Sequence, residues 1–117
     1  METILITGGT GNIGKELSSL FLSRGFKVAV LTRKKIIKNH VIKYFYWDIK
    51  NKIIEKGAFE NVKTIVHLAG ENIGENRWSK KRKKEIYNSR VLSVKFLLEY
   101  ITHNNIKINH FISASAI

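Results

Sequence analysis

The sequence has no cysteine and no proline among its 117 residues. Without thiols there is no disulfide framework, no thiolate metal site and no thiol nucleophile. The four histidines, His40, His67, His103 and His110, are scattered without ligand spacing, so no metal site is expected. No apolar run approaches the roughly 20 residues needed to cross a bilayer, which excludes a membrane-spanning helix. The start, Met1-Glu2-Thr3, has neither the basic segment nor the cleavage site of a signal peptide, and a cytoplasmic location is the expectation. Acidic residues are also few, nine against twenty-one Lys and Arg, for a net charge of +12.

That charge points to an anionic partner, either nucleic acid or a phosphorylated cofactor. The abundance of Lys, Ile and Asn, all with AT-rich codons, accounts for part of the excess through base composition, so charge alone does not choose between them. A chain that is 44% hydrophobic and 26% charged has the balance of one globular domain, with enough length for a hydrophobic core. It is short for an enzyme with a separate substrate domain.

Short apolar segments alternate with helical patterns along the chain. Thr3 to Ile6 is rich in β-branched residues, is bounded by Gly8-Gly9, and reads as a buried strand. A helix follows, with a stripe from Ile13 through Leu17, Leu20 and Phe21 and a stop at Gly25. Lys27 to Thr32 is the second strand, Val41 to Trp47 the third and Val62 to Leu68 the fourth. Residues 50 to 61 read as a weak helix or loop. A long helix runs from a Ser79 cap to about His103, with Ile86, Val91, Val94, Leu97, Leu98 and Ile101 as its apolar stripe, and Asn109 to Ser113 is the last strand. The pattern predicts an α/β fold of Rossmann type: a parallel sheet in the order 3-2-1-4-5, helices on both faces, right-handed crossovers.

The sharpest motif is Thr7-Gly8-Gly9-Thr10-Gly11-Asn12-Ile13-Gly14, set between the first strand and the first helix. Gly8 permits the tight turn, Gly11 lets the backbone approach a pyrophosphate, and Gly14 allows close packing of helix on strand. The amides and dipole of the helix N-terminus then face the phosphates. At the end of the second strand, where an NAD enzyme carries an acid for the ribose hydroxyls, this chain has Thr32-Arg33-Lys34-Lys35. A guanidinium at Arg33 suits a 2′-phosphate, which favours NADP(H) over NAD(H).

Arg77-Trp78-Ser79-Lys80-Lys81-Arg82-Lys83-Lys84 places six basic residues in eight at a helix N-terminus, against the macrodipole. It reads either as a solvated helix face or as a contact for a phosphorylated substrate or nucleic acid, with Trp78 stacking on a base. His67 reads as a strand residue near the cleft and not as a base. Glu71 and Asn72 follow the carboxyl end of the fourth strand, where open α/β sheets bind ligands, in either a polar or a simple loop role.

The glycine spacing, together with Leu68-Ala69-Gly70-Glu71-Asn72-Ile73, Arg77-Trp78, Ser89-Arg90 and Phe111-Ile112-Ser113-Ala114-Ser115-Ala116, resembles the extended short-chain dehydrogenase/reductase superfamily. The likeness is to its NAD(P)-dependent epimerase/dehydratase type, in a subgroup of poorly characterised epimerase family proteins. The resemblance implies that Asp48 holds the adenine amino group, that Ala69 and Gly70 line the ribose, and that Ser115 is the active-site serine, with Ser113 as the alternative two residues earlier on the same strand face.

The family's catalytic tyrosine and lysine lie on a helix after this strand. The resemblance therefore implies that residues 1–117 correspond to the N-terminal, dinucleotide-binding part, with the C-terminal substrate-binding part absent. Tyr46-x-x-x-Lys50 mimics the spacing of that pair, but at the adenine end of the cleft. The expected partners are the dinucleotide, a small-molecule substrate of unknown identity and, through the exposed fifth strand, a second copy of the chain. The rival is an inactive binding module whose basic surface contacts nucleic acid.

Overall fold

The computed structural model describes residues 2–8, 12–33, 41–68 and 80–113. In chain order it contains β1 (Thr3–Thr7), α1 (Asn12–Ser23), β2 (Lys27–Thr32), β3 (Ile42–Asp48), β4 (Ile53–Ile54), β5 (Val62–His67), α2 (Lys80–His103) and β6 (His110–Ser113). One sheet of six strands runs in the order β4-β3-β2-β1-β5-β6. The five longer strands are parallel and reproduce the expected order 3-2-1-4-5.

Strand β4 corrects the expectation of a weak helix or loop over 50 to 61. It pairs antiparallel with β3, Trp47 opposite Ile54 and Asp48 opposite Ile53. The turn between them is chemically specified: the Asn51 amide donates to Asp48 Oδ1 at 3.2 Å, and Lys52 takes a left-handed φ of 55°. The Glu55 amide then donates to the Tyr46 carbonyl at 2.8 Å. A two-residue strand carries no readable period, and only this hairpin geometry defines it.

Alternation along the strands divides the core in two. Ile4, Ile6, Val28, Val30 and Val66 meet Leu17, Phe21 and Leu22 of α1 on one face. Leu5, Ala29, Leu31, Trp47 and Ile65 meet Phe96 and Leu97 of α2 on the other. Strands apolar on both sides are what a helix-covered parallel sheet requires. The β1-to-β2 and β5-to-β6 steps go in opposite directions along the sheet and use opposite faces, so both crossovers have the same hand.

Two helical stripes need correction. In α1, Ile13 is 67% exposed and Leu20 is also exposed, while Gly14, Leu17, Ser18 and Phe21 form the inward face. Ile13 and Leu20, seven residues apart, share a different stripe. In α2, Val91 and Leu98 are exposed, and Ser93, Phe96 and Leu97 point inward, with Ile101 packed on the same core. The sheet selects the aromatic Phe96, which stacks on Trp47 at 6.2 Å, over a purely aliphatic stripe. The side chain of Ile86 lies outside the described residues, as does Ser79.

Both helices end in the same way. Phe26 N–H reaches back to the Phe21 carbonyl and Gly25 N–H to the Leu22 carbonyl, with Gly25 at φ 89°, the pairing of a Schellman cap. Ile106 to Ile101 and Asn105 to Thr102 repeat it, with Asn105 at φ 54°.

Candidate functional site

A parallel sheet delivers every strand's carboxyl end to one edge. Gly8 leaves β1 there, Arg33 leaves β2, Asp48 closes β3, Leu68 leaves β5 and Ser113 ends β6. The chain builds outward from β1 through β2 to β3 and then reverses to β5 and β6, so the crevice beside the β1 end is the topological switch point.

Gly8 has a φ of 74°, a left-handed conformation that disfavours side chains. Helix α1 begins four residues later at Asn12, and its first turn contains no acidic residue to occupy the positive end of the dipole. Gly14 is buried, and its carbonyl accepts from the Ser18 hydroxyl at 2.8 Å. Asn12, Ile13 and Gly14 thus form the first turn of α1, four residues beyond Gly8. Gly9, Thr10 and Gly11 lie outside the described residues, as do Ala69, Gly70, Glu71, Asn72 and Ser115, and the basic run contributes only the backbone from Lys80 onward.

Arg33 is exposed at the end of β2, beside the glycine turn's own strand. Asp48 lies one strand farther out. Hydrogen bonds from the Asn51 side chain and amide hold its carboxyl below the ordinary 3.8, keeping it an acceptor. The Asn51 amide nitrogen Nδ2 donates to Asp48 Oδ2 at 2.7 Å, and the Tyr46 hydroxyl lies 3.4 Å from the same oxygen. Tyr46 and Lys50 therefore sit at the β3 end, two strands from the crevice.

Between β1 and β5 the structure shows what the sequence did not. Thr7 and His67 are cross-strand partners, and Thr7 Oγ1 lies 2.6 Å from His67 Nδ1. His67 Nε2 lies 3.1 Å from Ser93 Oγ on α2. A neutral ring serves both contacts, one nitrogen accepting and the other donating. Burial pushes His67 down to about 4, so the ring is neutral at ordinary pH and is no cationic anchor for phosphate. His67 is, as expected, a strand residue beside the cleft; its partners come from residues 60 positions before and 26 after, a distance no local pattern reveals.

The carboxyl edge therefore carries a glycine in the left-handed region at Gly8, a helix N-terminus without acidic residues in its first turn, and the exposed Arg33 after the next strand. Among the described residues, no group of His, Asp and Glu is placed to hold a metal ion, and no helix is long and apolar enough to cross a membrane.

A family model described as the NAD dependent epimerase/dehydratase family matches residues 4–117. An epimerase family protein of Staphylococcus saprophyticus is 30% identical over 118 residues, which is 100% of this chain and 38% of that protein. The crystal structure of a human epimerase family protein with NADPH is similar with a TM-score of 0.77 at 27% identity, over 98% of this chain and 37% of the human one. UDP-glucose 4-epimerase from Bifidobacterium longum, in complex with NAD+ and UDP, shares the fold with a TM-score of 0.75 at 23% identity, over 97% of this chain and 36% of that one. The chain thus spans well under half the length of each of these proteins.

Proposed function

The chain belongs to the NAD dependent epimerase/dehydratase family, and from that membership we propose that residues 1–117 form the dinucleotide-binding part of an epimerase-family oxidoreductase that prefers NADP(H). The observation that carries the reading is Gly8 at φ 74° leading from β1 into the N-terminus of α1 at the switch point of the sheet. Gly8 to Gly14 receive the pyrophosphate on backbone amides, Gly11 giving it room and Gly14 seating the helix. Arg33 pairs with the 2′-phosphate. Asp48, held in orientation by Asn51, accepts from the adenine amino group. Ala69 and Gly70 line the ribose, and Ser115 orients the reacting oxygen of a small-molecule substrate.

When bound, the nicotinamide supplies hydride transfer. The human relative solved with NADPH supports the phosphate-bearing cofactor, as does the absence of an acid at the β2 end. Calorimetry with NADPH and NADH tests the preference. NADPH binds more tightly to the parent chain, and Arg33→Asp reverses or abolishes the difference, because an acid suits ribose hydroxyls and repels phosphate. Equal affinities in the parent chain remove Arg33 from the account.

The net charge of +12 supports a second reading, an inactive module that contacts nucleic acid. A salt titration separates the two. An RNA oligonucleotide held through phosphates is released steeply as salt rises, whereas dinucleotide affinity changes far less. A second copy of the chain is the expected partner of β6, the strand at the sheet's edge, whose Ile112 is exposed. Sedimentation should show association rising with concentration, and a monomer throughout argues against it.

A further inference from the structure

The α2 face of the sheet is apolar until its carboxyl edge, where the layer becomes polar. Leu5 and Ile65 are followed, two residues on and on the same face, by Thr7 and His67. Thr7 is 0% exposed, His67 2% and Ser93 1%. Burying three polar side chains together costs desolvation that aliphatic residues of similar size would not incur, and it is offset only while the hydrogen bonds hold. Hydrogen bonds, unlike apolar contacts, are directional. They fix separation and angle as well as proximity.

The position of this polar layer decides its meaning. Thr7 immediately precedes Gly8, and His67 immediately precedes Leu68-Ala69-Gly70, the two segments assigned to pyrophosphate and ribose. The Leu68 amide donates to the Thr7 carbonyl at 3.0 Å and lies 3.1 Å from Thr7 Oγ1, so the same hydroxyl engages the imidazole and the first amide beyond β5. Ser93 carries the chain of bonds across to α2, and Phe111 of β6 covers the imidazole at 6.1 Å. Four elements therefore meet at one buried ring.

We propose that Thr7, His67 and Ser93 are positioning residues for the dinucleotide: their hydrogen-bonded line across β1, β5 and α2 sets the spacing of the two strand ends and thereby the crevice that receives the cofactor. This rests on the dinucleotide reading and deepens it. The three side chains act through the backbone that leaves their strands, and none is assigned a contact with the cofactor.

The test compares NADPH and NADH affinity in the parent chain and in Thr7→Val, Thr7→Ser and Ser93→Ala, each at a temperature where circular dichroism shows it folded. Thr7→Val keeps the shape and removes the hydroxyl; it should weaken both dinucleotides about ten-fold or more, as should Ser93→Ala. Thr7→Ser restores the hydroxyl and should return affinity to within about two-fold of the parent. A purely structural role would lower the unfolding midpoint and leave the folded protein's affinity unchanged, and that result overturns the inference. So does a Thr7→Ser variant as weak as Thr7→Val, since the methyl group would then be what matters.

Should Thr7→Val fail to fold, the parent chain still decides through Ser93→Ala and through hydrogen exchange. The Leu68 amide should be protected like a β1 amide, and free exchange there overturns the inference. A parent chain that binds neither dinucleotide overturns the functional reading itself, whereas variants that bind as the parent does overturn only the positioning role.

Discussion

The two faces of the sheet are held by different means. Under α1, Leu17, Phe21 and Leu22 pack on Ile4, Ile6, Val28, Val30 and Val66, an apolar contact with Ser18 satisfied within its own helix. Under α2 the apolar layer of Leu5, Ile65, Phe96 and Leu97 gives way at the carboxyl edge to Thr7, His67 and Ser93. Apolar packing supplies stability in proportion to area and tolerates small adjustments; a buried polar line supplies geometry and tolerates few. The polar layer sits where strands hand the chain to the loops of the proposed cofactor site, so the proposed positioning role belongs to the α2 face.

That contrast predicts a pH dependence confined to one face. Burial holds His67 at about 4 against an ordinary 6.5, so the unfolded chain takes up a proton that the folded chain refuses. The stability this neutral ring brings is complete above about pH 6.5 and is lost progressively as pH falls toward 4, by on the order of 2–3 kcal/mol. Urea midpoints at pH 7 and 4.5 should differ accordingly in the parent chain, and the difference should shrink in His67→Gln. Asp48, lowered by its bonds from Asn51, loses its contribution only as pH falls below the ordinary 3.8, outside that window.

A smaller effect compares the two helix ends, which have the same cap geometry with different residues. An added Cβ at Gly25 meets nothing within 4 Å, so Gly25→Ala suffers only from its φ of 89° and should cost about 1–2 kcal/mol. Asn105 already bears a side chain at φ 54°, and Asn105→Gly should stabilise α2 by about 0.5 kcal/mol or less. Thermal melts of the two variants should move in opposite directions. Movement in the same direction would mean that one cap is set by its surroundings and not by φ.

The order of the five long strands was legible because their apolar runs are nearly continuous and the intervening helices are periodic. What escaped was decided by tertiary choice. Leu20 and Leu98 are as hydrophobic as Leu17 and Leu97, and only the position of the sheet tells which of them turns inward. Strand β4 follows the Asp48–Asn51 turn, and its two isoleucines are too short a run to signal a strand by themselves. At the site, Gly8 was legible because a strand followed by a glycine turn and a helix is local, whereas the Thr7–His67–Ser93 line joins residues that only the fold brings together.

The most direct test of the account is calorimetric titration of NADPH into the parent chain and into Gly11→Val. A side chain at that position occupies space the pyrophosphate needs. The parent chain should bind, and Gly11→Val should lose binding while its circular dichroism spectrum stays close to the parent's. Equal affinity in the two proteins, or no binding by the parent chain, would contradict the claim that the glycine turn at the carboxyl edge of β1 receives a dinucleotide.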